Sequence, residues 1–510
     1  MTNEVVLAVH ELGFGGASSA IMDQIALFHA AGYRVTVATF APGPRTFDRV
    51  AQARSAGELP VGVDIRNLHE EWRNRTRTLR WDRRLRTAAG DAKRRVTRLG
   101  TRPREVMRGS TRTVEHARRG RLLCTDVYDV HGRVSVREWQ TTGRGAVHDF
   151  LWSDGHVYLR QWLGSDGSVE RETYFDPRGA AYLRRGVNPD GSSRGMELID
   201  AASGSSRPGG LVAWQTGWLQ SIVDACHGVP VVIGESQGII ARVAGLRRSS
   251  AVRVGMFHNS HLRPPYHEAA GVRAAHARAF AMSDELERIV AVSAAQADDI
   301  AQRVARPERV VTIPNPVVPE VLPEIERDEK LVSVVTRLVP LKGVPEAVAA
   351  FARVVAAVPD ARMEIYGRGI DRHRVEAAIV DHHLSDRVRL MGRTDEPRAA
   401  MARALVTVST SHTETMGLSI AESALQGTPA VAYDCRFGPA ELIEDGITGR
   451  LVPVGDIDAL ADALIGLLRS PETAREMGAR AQARLSEELS PARALARWQE
   501  LFAAARAEIA

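Results

Sequence analysis

About thirty residues, Leu405 to Asp434, constrain this chain most. They read as a short apolar strand (Leu405 to Ser409), a polar loop containing Gly417, a helix starting near Leu418, and a second strand (Ala430 to Ala432) behind the Gly427-Thr428-Pro429 turn. Two carboxylates, Glu414 and Glu422, stand eight positions apart, one in the loop and one on the helix, with the amides of Gly417, Leu418 and Ser419 between them. A helix N-terminus offers unpaired N–H groups and the positive end of a dipole, which suits a phosphate. Carboxylates beside it suit the hydroxyls of a sugar and a ribose, and a nucleotide sugar carries all three groups.

The same strand–helix rhythm runs through the second half, with strands near Leu331, Met363 to Tyr366, Val388 to Met391, Leu405, Ala430 and Leu451. This predicts a doubly wound parallel sheet over about 317–490, followed by a last helix from Pro491 to Glu508. The first half opens on a similar unit: a strand Val5 to Val9, the glycine loop Leu12 to Ala17, a helix to about Ala31 and a strand Tyr33 to Phe40. The glycines Gly15 and Gly16 sit in a run that lacks GxGxxG spacing, so they read either as a plain tight turn or as a place where backbone approaches a ligand. A parallel pattern resumes at Leu211, with strands Pro230 to Ile233, Arg253 to Phe257 and Arg288 to Val292. A long helix is expected after His261, Ser293 is expected to cap the next helix, and Val310 to Pro316 reads as a strand and proline-stiffened hinge.

Between these halves the pattern changes twice. From about Arg73 to Arg121 the chain reads as weakly periodic basic helix, with eighteen Lys or Arg against four acids, about +14, which leaves the rest of the chain near −9 of the net +5. That asymmetry points to a polyanionic or membrane-surface partner, or to a solvated basic face. From Leu122, Gly132, Gly143, Gly155, Gly167, Gly179 and Gly191 recur every eleven or twelve residues, often after Asp, between alternating runs such as VYLRQWL. This spacing predicts an antiparallel meander of short hairpins.

Upstream of the Leu405 unit, LVSVVTRLVPLKG presents Arg337 and Lys342 in a loop after an apolar strand, and downstream lies YDCRFGPAELIEDGITGRLVPVGD. TRLVPLKG, Glu414-x7-Glu422 and YD…GP…I.DG..G.LV, in this order and spacing, resemble the retaining GT-B glycosyltransferases. Within these the resemblance is to bacterial poly(glycerol-phosphate) α-glucosyltransferases, wall-teichoic-acid α-N-acetylglucosaminyltransferases and accessory-Sec glycosyltransferases. The resemblance implies two Rossmann-like domains facing a cleft, the first formed by 1–74 and 211–316 and interrupted by a basic segment and β insertion at 75–210. The second covers 317–490, with a crossover helix at 491–510.

It further implies UDP-glucose or UDP-N-acetylglucosamine as donor, with Arg337 and Lys342 on the diphosphate, Glu422 on the ribose and Glu414 on the donor sugar. His258 is implied at the sugar, and Gly15, Gly16, Arg393, Gly417, Leu418 and Ser419 around the nucleotide. No metal or other cofactor is implied. Where relatives commonly carry Gly-Phe-Gly after the first Glu, this chain has Thr415-Met416-Gly417. The expected acceptor is a poly(glycerol-phosphate) or teichoic-acid-type polymer held by Arg73–Arg121; protein O-glycosylation of serine-rich adhesins, or a non-catalytic partner subunit, are the alternatives. The β insertion is expected to make a homo-oligomer, a trimer for preference.

Asp298-Asp299 reads as surface charge, and the Arg run lacks any nucleic-acid-binding motif. Three scattered cysteines fit a reducing compartment. With no signal-like N-terminus and no stretch of eighteen apolar residues, the expectation is a cytoplasmic protein, in solution or peripheral to the inner face of the membrane.

Overall fold

The computed structural model describes residues 3–13, 16–75, 102–108, 111–119, 121–129, 132–140, 145–152, 154–199, 205–267, 269–318 and 322–509. Two compact units are present: Met1–Phe14, Arg34–Pro230 and Gly245–Ala251 in the first, and Gly15–Tyr33, Val231–Ala244 and Val252–Ala510 in the second. The architecture is α/β, with two parallel sheets and an antiparallel insertion of ten strands.

In the first unit, β1 (Glu4–Val9), β2 (Arg34–Thr39) and β3 (Asp64–Asn67) pair in parallel. The run VVLAV makes β1 buried along its whole length, as a strand covered on both faces requires. The insertion comprises β4 (Arg102–Arg108), β5 (Thr111–Arg118), β6 (Arg121–Tyr128), β7 (Val134–Trp139), β8 (Val147–Leu151), β9 (Val157–Leu163), β10 (Val169–Phe175), β11 (Ala181–Val187), β12 (Ser193–Ile199) and β13 (Ser206–Gly209). Each strand lies beside its neighbour in sequence, as a meander does.

The turn chemistry explains the regularity. Gly132, Gly155, Gly167, Gly179 and Gly191 adopt φ between 73° and 84°, which a side chain would strain. Before them, the carboxylates of Asp154, Asp166, Asp176 and Asp190 accept from the amide two residues on, at 2.9–3.1 Å. The sixth expected turn, Gly143, lies outside the described residues. Cross-strand ion pairs then tie the strands together: Arg137 to Asp126 (2.5 and 2.8 Å), Arg160 to Asp149 (2.6 and 2.8 Å) and Arg185 to Glu172 (2.5 Å).

The basic segment corrects one expectation. Helix covers Leu68–Arg75, residues 76–101 lie outside the described ones, and from Arg102 the chain is strand, twenty residues before the expected start at Leu122. Thr111, Thr113 and Val114 are β-branched, and Thr113 and Val114 are buried, so tertiary pairing overrides the helical reading of an Arg-rich run.

In the second unit, β14 (Val231–Gly234), β15 (Val252–Phe257), β16 (Arg288–Ala291) and β17 (Val310–Thr312) are parallel neighbours. The six-stranded sheet contains β18 (Asp328–Val335), β19 (Arg362–Tyr366), β20 (Val388–Gly392), β21 (Ala404–Ser409), β22 (Ala430–Tyr433) and β23 (Gly449–Val452), in the order β20-β19-β18-β21-β22-β23. Val332, Phe351, Leu405, Val406, Tyr433 and Leu464 are in its core. The last helix, Pro491–Ala507, sets Trp498 and Phe502 against Phe28, with ring centroids 5.6 Å apart in each case. The long helix expected after His261 is short, Ala274–Ala281, because Pro264-Pro265 removes two backbone donors and Leu262 bridges Val272 instead. Among the described residues, no helix is long and apolar enough to cross a membrane.

One buried histidine makes the first unit acid-sensitive. His69 stacks on Tyr174 and its Nδ1 lies 2.8 Å from the Tyr182 hydroxyl; burial pushes its pKa down to about 3. Below an unfolded value of about 6.5, the unfolded chain therefore takes up a proton that the folded one refuses. Stability is full above pH ~6.5 and falls by up to about 1.4 kcal/mol per pH unit on the way to pH 3 from this residue. The urea midpoint is accordingly lower at pH 5 than at pH 7.5, and His69→Gln flattens that difference; an equal acid slope in the variant would refute the assignment.

Candidate active site

Strand order in the six-stranded sheet reverses between β18 and β21, and open α/β sheets bind ligands beyond the strand C-termini at that point. Arg337 and Lys342 follow β18, and Glu414 and Gly417 follow β21, so the sheet itself brings the two loops side by side. Gly343 allows their contact. With φ of 56°, it ends the short turn Pro340–Lys342 and starts the helix Val344–Ala357; a Cβ there would lie 2.4 Å from the Thr410 carbonyl oxygen. Around it, the His412 amide donates to Leu341 O (2.9 Å) and the Thr410 hydroxyl to Lys342 O (3.0 Å). The third loop, after β22, closes in the same manner. A Cβ on Gly438 would lie 2.2 Å from Met416 O, and the Glu414 amide donates to Arg436 O at 2.8 Å.

The result is an ion pair across the switch point. The Lys342 ammonium donates to the Glu414 carboxylate, with 13% and 14% of their side chains exposed, and the Ser411 hydroxyl donates to the same oxygen at 2.8 Å. Arg337 is exposed in the β18 loop, and among the described residues its guanidinium has no protein partner. Gly417 (φ 95°) leads into the helix Leu418–Leu425. The first intrahelical bonds are those of Ile420 and Ala421 to Gly417 O (2.9 and 3.1 Å), so the Leu418 and Ser419 amides precede the ladder and stay available. Glu422, one turn on, faces Arg398 at 3.8 Å. Cys435 is no nucleophile here, since burial, and then the Glu414 charge, push its thiol up to about 12.

The other expected residues fall differently. Gly15 lies outside the described residues, and Gly16 is the first residue of its helix. Arg393 is exposed after β20 and pairs with Asp395 at 3.0 Å. His258, expected to face the cleft, is buried after β15; its Nε2 is 2.7 Å from Glu235, while its carbonyl accepts from the Thr415 hydroxyl at 2.7 Å. Thr415, at a departure from the usual run, thus links the Glu414 loop to the His258 strand.

Two readings of charge and capping are corrected. Asp299 is buried, and accepts from His261 (2.5 Å), Arg303 (2.8 Å) and Arg436 (3.0 Å). Burial works against its charge, but the bonds from Arg303 and His261 outweigh it and hold the carboxyl below its ordinary range. Ser293 occupies the N-cap of the helix Ala294–Ala301 but makes no capping bond; the Glu441 carboxylate accepts from Ala294 and Ala295 N–H at 3.0 and 2.8 Å instead. A cavity of about 740 Å³ opens beside this contact, lined among others by Val292, Ser293, Pro314, Met416, Gly438 and Glu441. None of Arg337, Lys342, Glu414 or Glu422 lines it. Glu235, Arg436 and Glu441 escape a motif reading because each acts through a partner distant in sequence. An acid at the end of an apolar strand, as in Ile233-Gly234-Glu235, is the one signal available for Glu235.

Replacing Gly343 by Ala should separate the two loops. Overpacking against a backbone carbonyl costs about 1–3 kcal/mol, so the melting temperature drops and turnover at this site falls at least tenfold. Unchanged melting and turnover would contradict the close approach.

Residues 322–484 match the family model described as glycosyl transferases group 1. The poly(ribitol-phosphate) α-N-acetylglucosaminyltransferase of Staphylococcus aureus (strain COL) is 24% identical over 358 residues, 70% of this chain and 71% of that protein. Among solved structures, S. aureus TarM in complex with fondaparinux, α-GlcNAc-glycerol and UDP matches with a TM-score of 0.75 at 20% identity, over 98% of this chain and 99% of that one. The pneumococcal O-GlcNAc transferase GtfA in complex with UDP and GlcNAc matches with a TM-score of 0.66 at 16% identity, over 98% and 99%. The chain thus carries a glycosyl transferases group 1 domain over residues 322–484 and shares the GT-B fold of these enzymes.

Proposed function

We propose that the chain transfers glucose or N-acetylglucosamine from a UDP-sugar, in α linkage with retention, to a poly(glycerol-phosphate) or teichoic-acid-type polymer. The observation that carries this reading is the Lys342–Glu414 pair at the switch point, beside an uncommitted Arg337 and the open amides of Leu418 and Ser419. Glu414 and Lys342 satisfy each other. A bound diphosphate offers Lys342 a stronger partner, and the released Glu414 carboxylate can accept from donor-sugar hydroxyls. Glu422 serves the ribose hydroxyls in the same way.

The chemistry then follows from charge. The bond between the anomeric carbon and the UDP oxygen breaks, the acceptor hydroxyl bonds to that carbon on the same face, and its proton passes to the departing phosphate oxygen. Arg337, Lys342 and the helix amides stabilise the negative charge growing on UDP; one such preorganised donor contributes about 10²–10³ in rate. With two cations in this role, no divalent metal is required. The basic Arg73–Arg121 segment supplies the charge that a phosphodiester polymer needs, and the relative that acts on poly(ribitol-phosphate) supports an acceptor of this class. The likeness to GtfA, an O-GlcNAc transferase, favours protein O-glycosylation as the second reading.

UDP release measured over a panel of UDP-sugars, with and without teichoic-acid polymer and in the presence of EDTA, tests this. Release should be fastest with UDP-glucose or UDP-N-acetylglucosamine plus polymer, survive the chelator, and fall about 10²-fold or more in Lys342→Ala and Arg337→Ala; melting should change little in Arg337→Ala, whose side chain is exposed, and drop in Lys342→Ala, which leaves the Glu414 carboxylate without its cation. Turnover near wild type in either variant would remove the donor site from these loops.

Salt separates the acceptor readings. Exposed charges are screened beyond about 8 Å at physiological ionic strength, so the KM for polymer should rise steeply with salt while that for the donor moves little. Replacing Arg83, Arg84 and Arg86 by Gln should flatten that rise. A polymer KM indifferent to both would favour the protein acceptor.

A further inference from the structure

Two ion pairs bracket Gly343. The Lys342 ammonium meets Glu414, and Glu346, in the first turn of the helix Val344–Ala357, meets His412 with Oε1 2.6 Å from Nε2. The order is crossed, 342 with 414 and 346 with 412, so the two loops are held at two points rather than one. A Cβ on Gly343 would lie 3.2 Å from the His412 Nε2, which sets the second pair against the glycine contact itself. Tyr433, buried on β22, backs it with ring centroids 6.5 Å apart. Burial works against charge on Glu346, but the bond from His412, helped by the Tyr433 hydroxyl and the Arg374 guanidinium, outweighs it and holds the carboxyl below its ordinary range.

The two pairs differ in what they are anchored to. The other bonds that this stretch makes to the β18 loop, from the His412 amide to Leu341 O and from the Thr410 hydroxyl to Lys342 O, end on the turn that carries Lys342. The His412 side chain instead reaches a helix whose Val348 and Phe351 are fully buried. If Lys342 changes partner, the first pair is lost and its turn is free to shift, whereas the second pair keeps its anchor. We propose that His412 and Glu346 are positioning residues: their ion pair ties the Glu414 loop to the helix Val344–Ala357 and holds the Glu414 carboxylate in place for the donor sugar once Lys342 has turned to the diphosphate. This rests on the UDP-sugar reading above and assigns two residues to it that touch no substrate.

The tie carries a signature in pH. Its bond to Glu346, against a smaller effect of burial, raises His412 above its ordinary value. The charged and titratable groups around the imidazole are Glu346, with Arg374 of the helix Arg372–Asp381 behind it, Tyr433 with Asp456 beyond, and the Lys342–Glu414 pair. Tyr433 stays neutral, because burial and then the Glu346 charge push its hydroxyl up, and Lys342 and Glu414 offset each other, so Glu346 governs the charge on His412. A carboxylate only accepts, so Nε2 keeps its proton and the second one leaves from Nδ1. With 37% of its side chain exposed, His412 can exchange that proton with water. Below the ordinary value of about 6.5 the pair is fully charged; as pH rises through the raised value, the ion pair becomes a single, weaker hydrogen bond. The Glu414 loop is then held less firmly, and the KM for the donor rises.

Two measurements test the proposal, one of which needs no substrate. In protein labelled with ¹⁵N-histidine, the His412 signal, identified by its loss in His412→Gln, should titrate above the ordinary value of about 6.5 in the wild type and at lower pH in Glu346→Gln. Equal titration in the two proteins would overturn the ion pair, even in a protein that takes no UDP-sugar. The second measurement is the donor KM, read as UDP release from UDP-glucose or UDP-N-acetylglucosamine. Between about pH 6 and about pH 9 it should rise about three- to fivefold more in the wild type than in Glu346→Gln, whose amide oxygen still accepts from Nε2 but leaves no ion pair to lose. A merely structural role would lower melting in the variant and leave the two KM profiles parallel. Parallel profiles in a protein where Lys342→Ala is inactive would overturn the positioning role and leave the donor site in place; wild-type turnover in Lys342→Ala would remove the donor site, and this role with it.

Discussion

The arrangement depends on one close approach, the Gly343 backbone against the Thr410 carbonyl. Two strand-to-helix loops can meet there because position 343 carries no side chain, and the contact sets Lys342 beside Glu414. A lysine and a glutamate held together with most of their surface removed from water interact more strongly than an exposed pair. Under the proposed reading the pair is exchangeable: a doubly charged diphosphate would compete for the lysine, and sugar hydroxyls for the carboxylate. A site built from loosely satisfied partners can be organised before the substrate arrives and still give up its internal bonds when the substrate does.

The second unit surrounds this pair with contacts that each couple two loops or strands. Arg436 offers its carbonyl to the Glu414 amide and its guanidinium to Asp299, while Glu441 caps the helix that Ser293 begins. Thr415 reaches the His258 carbonyl. Positions on both sides of the Glu414 loop are therefore tied to the β14–β17 region through polar contacts. In such a network, a substitution far from Lys342 can shift the loop that holds Glu414.

Much of the fold can be read in the residues because its signals are local. The central strands β21 and β22 are apolar runs closed by polar or Gly-Pro turns, and every Asp-Gly turn of the insertion within the described residues carries its own backbone instruction. The basic segment departs from its helical reading at Arg102 because arginine is compatible with helix, whereas the pairing that makes β4 and β5 strands is a property of their neighbours. At the site, spacing and resemblance single out Lys342 and Glu414, which the structure brings into contact. The burial of Asp299, the capping by Glu441 and the partnership of Glu235 with His258 are not, since they join residues 23 to 147 positions apart. No periodicity in one chain encodes a contact of that kind.

A structure of the protein with UDP bound is the sharpest test of this exchange of partners. The diphosphate should lie between Arg337, Lys342 and the amides of Leu418 and Ser419, with the Lys342 ammonium moved from Glu414 to a phosphate oxygen and the Glu414 carboxylate left open. UDP held elsewhere, with the Lys342–Glu414 pair intact, would contradict it.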